Sequence, residues 1–194
     1  MRSLRRIMLA ALTAALVAIG LPSTGWAAEP SPNNPQLVST STVPMTVVGY
    51  DEAVARANGY TIRFTADGTP YSVKSTTRLG GAGGVTTQNL VTGNCGSSYV
   101  WLYDIGDKKY QVSTGFGVTV SAVQYNWYAN VIGPNYNYTH TWGGGLWFSN
   151  TWSGTAVGLV NIGGTYTVKA TGHAVLSNGL ICNSLGPIAN ESIY

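Results

Sequence analysis

The sequence predicts a mainly β domain with antiparallel strands, arranged as a β-sandwich or, alternatively, as a closed β-barrel, with one short N-terminal helix. Only 9% of the residues are charged, and the strong helix formers Glu, Lys and Gln are scarce. β-Branched and aromatic residues fill the runs between glycines, a composition typical of strands and tight turns. Several of these short runs alternate polar and apolar residues, which favours an all-β fold.

The first element is an amino-terminal leader over residues 1–28. Three arginines precede an apolar run from Ile7 to Leu21, and a stretch of small residues ends at Ala28. This layout is that of a secretory signal peptide, and it predicts an exported, extracellular protein. No later apolar stretch is long enough to span a bilayer, so no membrane partner is expected after cleavage.

The leader also changes the charge of the protein. Its removal takes away three of the ten basic residues and leaves seven basic against seven acidic ones. A neutral chain without a basic patch cannot neutralise phosphates, which argues against nucleic acid as a partner.

A spacer and a short helix are predicted next. Residues 29–45 combine several prolines with a Ser/Thr-rich run, which predicts a flexible spacer before a single domain over residues 46–194. The segment from Asp51 to Asn58 favours a helix, because Asp51 can cap its amino terminus and Gly59 can end it.

At least eight short strands are predicted from Cys95 onward, after a strand-like run at Tyr60–Thr65. They are Ser98–Asp104, Tyr110–Phe116, Val118–Val131, Tyr138–Trp142, Leu146–Ser149, Ala156–Ile162, Tyr166–Leu176 and Leu180–Cys182. Asn178–Gly179 favours a hairpin turn before the last of these. In the last long strand, alternation is expected to direct Tyr166, Val168, Ala170, Ala174 and Leu176 to the core.

Cys95 and Cys182 are the two cysteines of the chain. An even count in an exported protein predicts a Cys95–Cys182 disulfide. The competing interpretation, a nucleophilic cysteine with a histidine partner, is disfavoured because an exposed thiol would tend to oxidise outside the cell.

The best candidate for a binding site is the aromatic belt between Tyr125 and Trp152, where rings are interleaved with asparagines. Sugar C–H faces stack on flat rings, while amide and hydroxyl groups bind sugar hydroxyls, so this composition favours a carbohydrate site. Core filling is the simpler interpretation of the same rings, because strand parity cannot separate a buried aromatic stripe from an exposed one. Tyr138, His140 and Trp142 have the same strand parity and are predicted to form a stripe. The candidate ligand-binding residues are Trp127, Tyr138, His140, Trp142, Trp147 and Trp152.

No catalytic or metal-binding constellation is recognisable. A metal site needs convergent ligands, and the two histidines, His140 and His173, would have to combine with distant carboxylates. Asp104 and Asp107 flank a predicted turn, where Asp is common, and this explains them better than a glycosidase pair does. We therefore expect no metal, no cofactor and no enzymatic activity.

Two segments, Asp51–Tyr60 and Gly93–Val100, resemble small secreted proteins of actinomycete-type bacteria. Leu180–Cys182 followed by Gly186–Pro187 is similar to the C-terminal part of the same proteins. The resemblance implies export from a Gram-positive-type bacterium and supports the disulfide. It implies no catalytic residue, because that group has no assigned activity.

These observations predict a secreted, non-catalytic domain that binds a polysaccharide or a cell-surface protein. Two alternatives stay open. One is a small secreted hydrolase that acts on polysaccharide, and the other is a self-associating structural protein of the cell surface.

Overall fold

Antiparallel strands make up most of the residues described by the computed structural model, which are 39–75 and 94–194. All of them lie in one compact unit, Asn33–Tyr194. In chain order the elements are β1 (Ser39–Tyr50), α1 (Glu52–Ala57), β2 (Tyr60–Phe64), β3 (Pro70–Lys74), β4 (Asn94–Asp104), β5 (Lys109–Gly133), β6 (Tyr136–Leu159), β7 (Gly164–Leu176), β8 (Leu180–Ser184) and β9 (Ile188–Ile193). The predicted mainly β, antiparallel fold with one short helix is confirmed.

The predicted signal peptide and the first part of the predicted spacer, up to residue 38, lie outside the described residues. Within the described ranges, no helix is long and apolar enough to cross a membrane.

Seven strands form one sheet in the order β6-β5-β4-β1-β8-β7-β9, and β2 pairs separately with β3. β5 pairs with β4 through Tyr110–Val118 and with β7 through Ala122–Ile132, while β6 accompanies it on the other edge. The pairings can therefore be followed from β5 through β4, β1, β8 and β7 back to β5. The sheet folds over on itself, and its inner face encloses the core.

β5 and β6 are long continuous strands, although the sequence predicted several short ones in their place. The register between them shifts between Gly117 and Ala122 and again between Ala122 and Gln124. These irregularities bend the hairpin without ending it. The buried side chains of β5 have even numbers up to Ala122 and odd numbers from Tyr125 onward. The bulged region thus reverses which residues face the core.

β1 begins at Ser39, inside the predicted spacer, so the predicted domain boundary at residue 46 is wrong. Met45 is fully buried and pairs with Gly96 of β4 and Ser184 of β8. The Ser/Thr-rich run resembled a loop because one side of β1 is polar and faces outward, with Thr40 and Thr42 exposed.

The predicted helix forms as α1. The carboxylate of Asp51 accepts a hydrogen bond from the Val54 N–H at 3.0 Å, and Gly59 follows the helix at a φ of 76°. The Asp51 N–H donates to the carbonyl of Gly179 at 2.7 Å, which ties the helix to the turn between β7 and β8.

The predicted disulfide between Cys95 of β4 and Cys182 of β8 is confirmed. Both cysteines are fully buried, and the bond joins the two strands that flank β1. The predicted inward face of β7 is also confirmed, because all five of its residues are fully buried. These are Tyr166, Val168, Ala170, Ala174 and Leu176.

Candidate functional site

Trp127, one of the six predicted ligand-binding residues, is a core residue. Its side chain is fully buried, its ring packs against Phe116 at 5.2 Å, and its Nε1–H donates to Thr114 Oγ1 at 3.0 Å. An enclosed ring cannot stack on a ligand, so this part of the predicted site is wrong. The bulged region of β5 is the reason, since it turns the odd-numbered residues inward.

Four other members of the predicted belt form a continuous row of rings, which we name the inner aromatic row. Ring centroids are 4.8 Å apart from Tyr138 to His140, 6.0 Å from His140 to Trp142 and 5.8 Å from Trp142 to Trp152. The predicted stripe from Tyr138 to Trp142 therefore exists. Tyr138 is 53% exposed, whereas the other three are partly buried.

The inner aromatic row packs between the two halves of the bent hairpin. A Cβ at Gly154 would lie 2.8 Å from the Trp152 ring and 3.1 Å from Trp142 Nε1, and a Cβ at Gly158 would overlap the ring of Tyr110. Glycine at these two positions of β6 leaves the space that the rings occupy. This packing favours the core-filling interpretation for most of the row.

One member of the row, His140, also belongs to a group of three side chains that are joined by hydrogen bonds. The hydroxyl of the fully buried Tyr110 lies 3.0 Å from His140 Nε2 and 3.0 Å from the Tyr136 hydroxyl. Burial raises the pKa of Tyr110 far above its ordinary value, and the hydrogen bond with Tyr136 raises it further. Burial lowers the pKa of His140. Tyr110 and His140 are therefore neutral at pH 7, and their hydrogen bond connects β5 with β6.

Replacing His140 by glutamine is expected to make the fold less sensitive to acid. Burial holds the pKa of His140 below its ordinary value of 6.5 in the folded protein, so the unfolded chain takes up the proton first as the pH falls. This contribution to stability is complete above about pH 6.5 and is lost as the pH falls through that value towards the folded-state pKa. Melting temperatures at about pH 7.5 and about pH 5 check this, because the drop should be smaller in His140→Gln than in the wild type. Equal drops would contradict it.

A second row of rings, which was not among the predicted binding residues, lies on the outward side of β4. We name Tyr99, Trp101 and Tyr103 the outer aromatic face. They alternate with the fully buried Val100 and Leu102, and each is partly exposed. The Tyr99 and Trp101 ring centroids are 4.9 Å apart, with their planes inclined by 38°.

Tyr99 extends across the neighbouring strands. Its hydroxyl passes over Gly115 of β5, where a Cβ would lie only 2.9 Å away, and interacts with Ser153 of β6. Gly115 thus lets the phenol lie along the sheet surface. Burial raises the pKa of Tyr99 and of Tyr103, and the nearby Tyr99 raises that of Tyr103 further, so both phenols stay neutral at physiological pH.

Uncharged polar side chains flank the outer aromatic face on both sides. On β1, Thr40 lies opposite Trp101 and Thr42 opposite Tyr99. On the other side, β5 and β6 contribute further hydroxyl and amide groups at the cross-strand positions. These are Gln111, Ser113, Ser153 and Thr155.

An open cleft of about 540 Å³ adjoins the outer aromatic face. The next cross-strand row beyond Tyr99 consists of Ser97, Gly117 and Thr151, and all three line the cleft. Asn94, Thr119 and Asn150 supply its other polar side chains. A row of rings thus leads into an open cleft whose rim carries several amide and hydroxyl side chains.

The alternation of Tyr99, Trp101 and Tyr103 was a signal that the sequence offered. These residues lie in the predicted strand Ser98–Asp104, and their equal parity places them on one face. The polar residues beside them come from three other strands, so only the pairing register brings the whole surface together.

Asp104 and Asp107 lie at the β4–β5 turn, as their sequence position predicted. Asp104 Oδ1 accepts a hydrogen bond from the Gly106 N–H at 2.9 Å, and Asp107 adopts a φ of 54° in the turn. Asp107 also lies 3.6 Å from Lys109 Nζ. In the part of the chain that the structure describes, no three His, Cys, Asp or Glu side chains converge as metal ligands would.

The chemistry available at the outer aromatic face is therefore ring stacking combined with uncharged hydrogen bonding. Comparison with known proteins adds no assignment: no family model, no curated protein and no solved structure matches this chain.

Proposed function

We propose that this protein is an extracellular, non-catalytic domain that binds a neutral polysaccharide through the outer aromatic face. The observation that carries the proposal is the row of three partly exposed rings on β4, flanked by hydroxyl and amide side chains. Sugar rings offer C–H faces for stacking and hydroxyls for directional hydrogen bonds, so this surface complements them on both counts.

The charge of the surface supports a neutral ligand. The three cross-strand rows that contain the rings hold no Lys, Arg, Asp or Glu, and Asp104 and Lys109 lie beyond Tyr103 at the end of the hairpin. An acidic polymer would find no counter-charge there, and a basic one would find no carboxylate.

The shape of the surface supports an extended chain. Side chains on one face of a strand recur about every 6.8 Å, so the three rings span roughly 14 Å before the cleft begins. A polymer lying along β4 would meet the rings in turn and place its end in the amide-lined cleft.

Replacing Trp101 by alanine is expected to weaken binding to the polysaccharide at least about tenfold, because a stacked ring contributes on the order of 1.4 kcal/mol or more. Cosedimentation with insoluble cellulose, chitin and other neutral polysaccharides measures this. The matched control is Trp147→Ala, which removes an exposed indole ring from β6, away from the outer aromatic face, and should bind like the wild type.

Three outcomes would contradict the proposal. They are retention of the wild type on none of these polymers, equal binding by Trp101→Ala and the wild type, and release of reducing sugar during incubation. The last outcome would favour the hydrolase alternative.

The inner aromatic row is a weaker candidate for the same ligand. Tyr138 is the member that a ligand reaches most easily, while Trp142 and Trp152 pack against each other. If this row were the site, Tyr138→Ala would weaken polysaccharide binding and Trp101→Ala would not, so the two variants separate the sites.

A further inference from the structure

A bulge in β6 pushes two aromatic side chains away from the sheet. β6 pairs Gly145 with Gln124 and Ser149 with Ala122, so three residues of β6 stand opposite Val123 alone. Leu146, the first of the three, packs against the core. Trp147 and Phe148, which we name the aromatic tip, are 94% and 57% exposed.

The backbone of the aromatic tip is strained. Trp147 and Phe148 have φ angles of 46° and 62°, in the left-handed region that bulky side chains rarely adopt. Glycine or asparagine would adopt this conformation at lower cost. A strained backbone that exposes two apolar rings gains nothing from the core, which is the pattern found at functional positions.

The surroundings of the aromatic tip differ from those of the outer aromatic face. Val123 and Gly145 join the two aromatic residues around a shallow pocket of about 270 Å³, and no polar side chain lines it. A sugar would find rings there without hydrogen-bonding partners. Tryptophan and phenylalanine rings on an apolar tip instead suit the boundary between headgroups and acyl chains of a lipid layer.

The charge of the hairpin further restricts the kind of lipid. No Asp, Glu, Lys or Arg occurs between Tyr110 and Leu159, so the tip and both strands that carry it are free of formal charge except at Lys109, the first residue of β5 at the far end of the hairpin. The hairpin can approach a membrane interface without dehydrating an ion. It also offers no cation to attract anionic headgroups, so the favoured surface is zwitterionic.

We propose that the aromatic tip docks the protein on a zwitterionic lipid surface by inserting Trp147 and Phe148 at the interface. This contact is peripheral and needs no membrane-spanning segment, so it revises the expectation from the sequence that no membrane would be a partner after cleavage. It is independent of polysaccharide binding, because the two surfaces share no residue.

The test is cosedimentation of the mature protein with phosphatidylcholine vesicles. The double variant Trp147→Ala/Phe148→Ala should reduce the partition coefficient at least about tenfold, because each ring removes apolar area from water on insertion. Trp101→Ala is the matched control and should bind vesicles like the wild type. Both tip residues are exposed, so the double variant should fold, and far-UV circular dichroism checks this.

Fluorescence adds a measurement specific to Trp147. Brominated phosphatidylcholine should quench part of the tryptophan emission of the wild type and of Trp101→Ala. Trp147→Phe should still bind the vesicles but lose most of this quenching. Retained quenching in Trp147→Phe would overturn the insertion of Trp147.

Three further outcomes would overturn the proposal. They are failure of the wild type to bind phosphatidylcholine, equal binding by the double variant, and binding that requires anionic lipid and disappears with salt. A concentration-dependent dimer in light scattering, lost in the double variant, would assign the aromatic tip to a second copy of the chain and would also overturn it.

Discussion

Replacing Trp127 by alanine is expected to lower the free energy of unfolding by about 3–5 kcal/mol, the usual cost of truncating a buried tryptophan. The ring is fully buried and lies against Phe116 and Trp152. It also covers Gly172 of β7, where a Cβ would meet the Trp127 backbone and ring. The truncation would therefore leave a cavity between β5 and β7.

The same substitution removes a hydrogen bond that connects the core with the backbone of β4 at Tyr99. Trp127 Nε1–H donates to Thr114 Oγ1, and that hydroxyl donates to the carbonyl of Tyr99 at 2.7 Å. Urea unfolding followed by circular dichroism measures the loss, and Trp147→Ala is the control, expected to change stability by no more than about 0.5 kcal/mol. A Trp127→Ala variant of nearly wild-type stability that does not bind polysaccharide would contradict the core role of Trp127 and would support a role in binding.

Removing the disulfide should be the second large effect. The Cys95→Ala/Cys182→Ala variant is expected to lose about 2–4 kcal/mol of unfolding free energy. The bond links residues 87 apart in sequence, so the unfolded chain without it gains considerable freedom. It also ties β4, which carries the outer aromatic face, to β8.

Denaturant unfolding of the wild type with and without reductant, beside the double variant, measures this contribution. Reductant should destabilise the wild type and leave the variant unchanged. Equal free energies of unfolding for the oxidised wild type and the double variant would contradict the prediction.

The features that were predicted correctly depend on neighbouring residues or, for the disulfide, on the presence of two cysteines. Asp51 and Gly59 mark the two ends of the helix. Both ends could be predicted because helix capping depends only on neighbouring residues. The inward face of β7 followed from alternation, since the register shift in its pairing with β5 adds an extra residue to β5 and none to β7. The disulfide followed from the cysteine count and the predicted export.

The features that the sequence did not predict depend on irregular pairing between distant strands. The register shifts near Ala122 have no local signal, so the inward direction of Trp127 and the continuity of β5 could not be read from alternation. The bulge that exposes Trp147 is defined only by its pairing with β5. The polar run of β1 resembled a loop, because Ser and Thr suit both a spacer and an exposed strand face.

The most direct test of polysaccharide binding at the outer aromatic face follows the indole N–H signals of the mature protein by NMR. The titrant is a soluble oligosaccharide of the polymer that retains the protein, and Trp→Phe variants assign the signals. The Trp101 signal should shift in a saturable manner, while the signals of Trp127 and Trp147 stay in place. Shifts confined to Trp142 and Trp152, with Trp101 unchanged, would contradict binding at the outer aromatic face and move the site to the inner aromatic row.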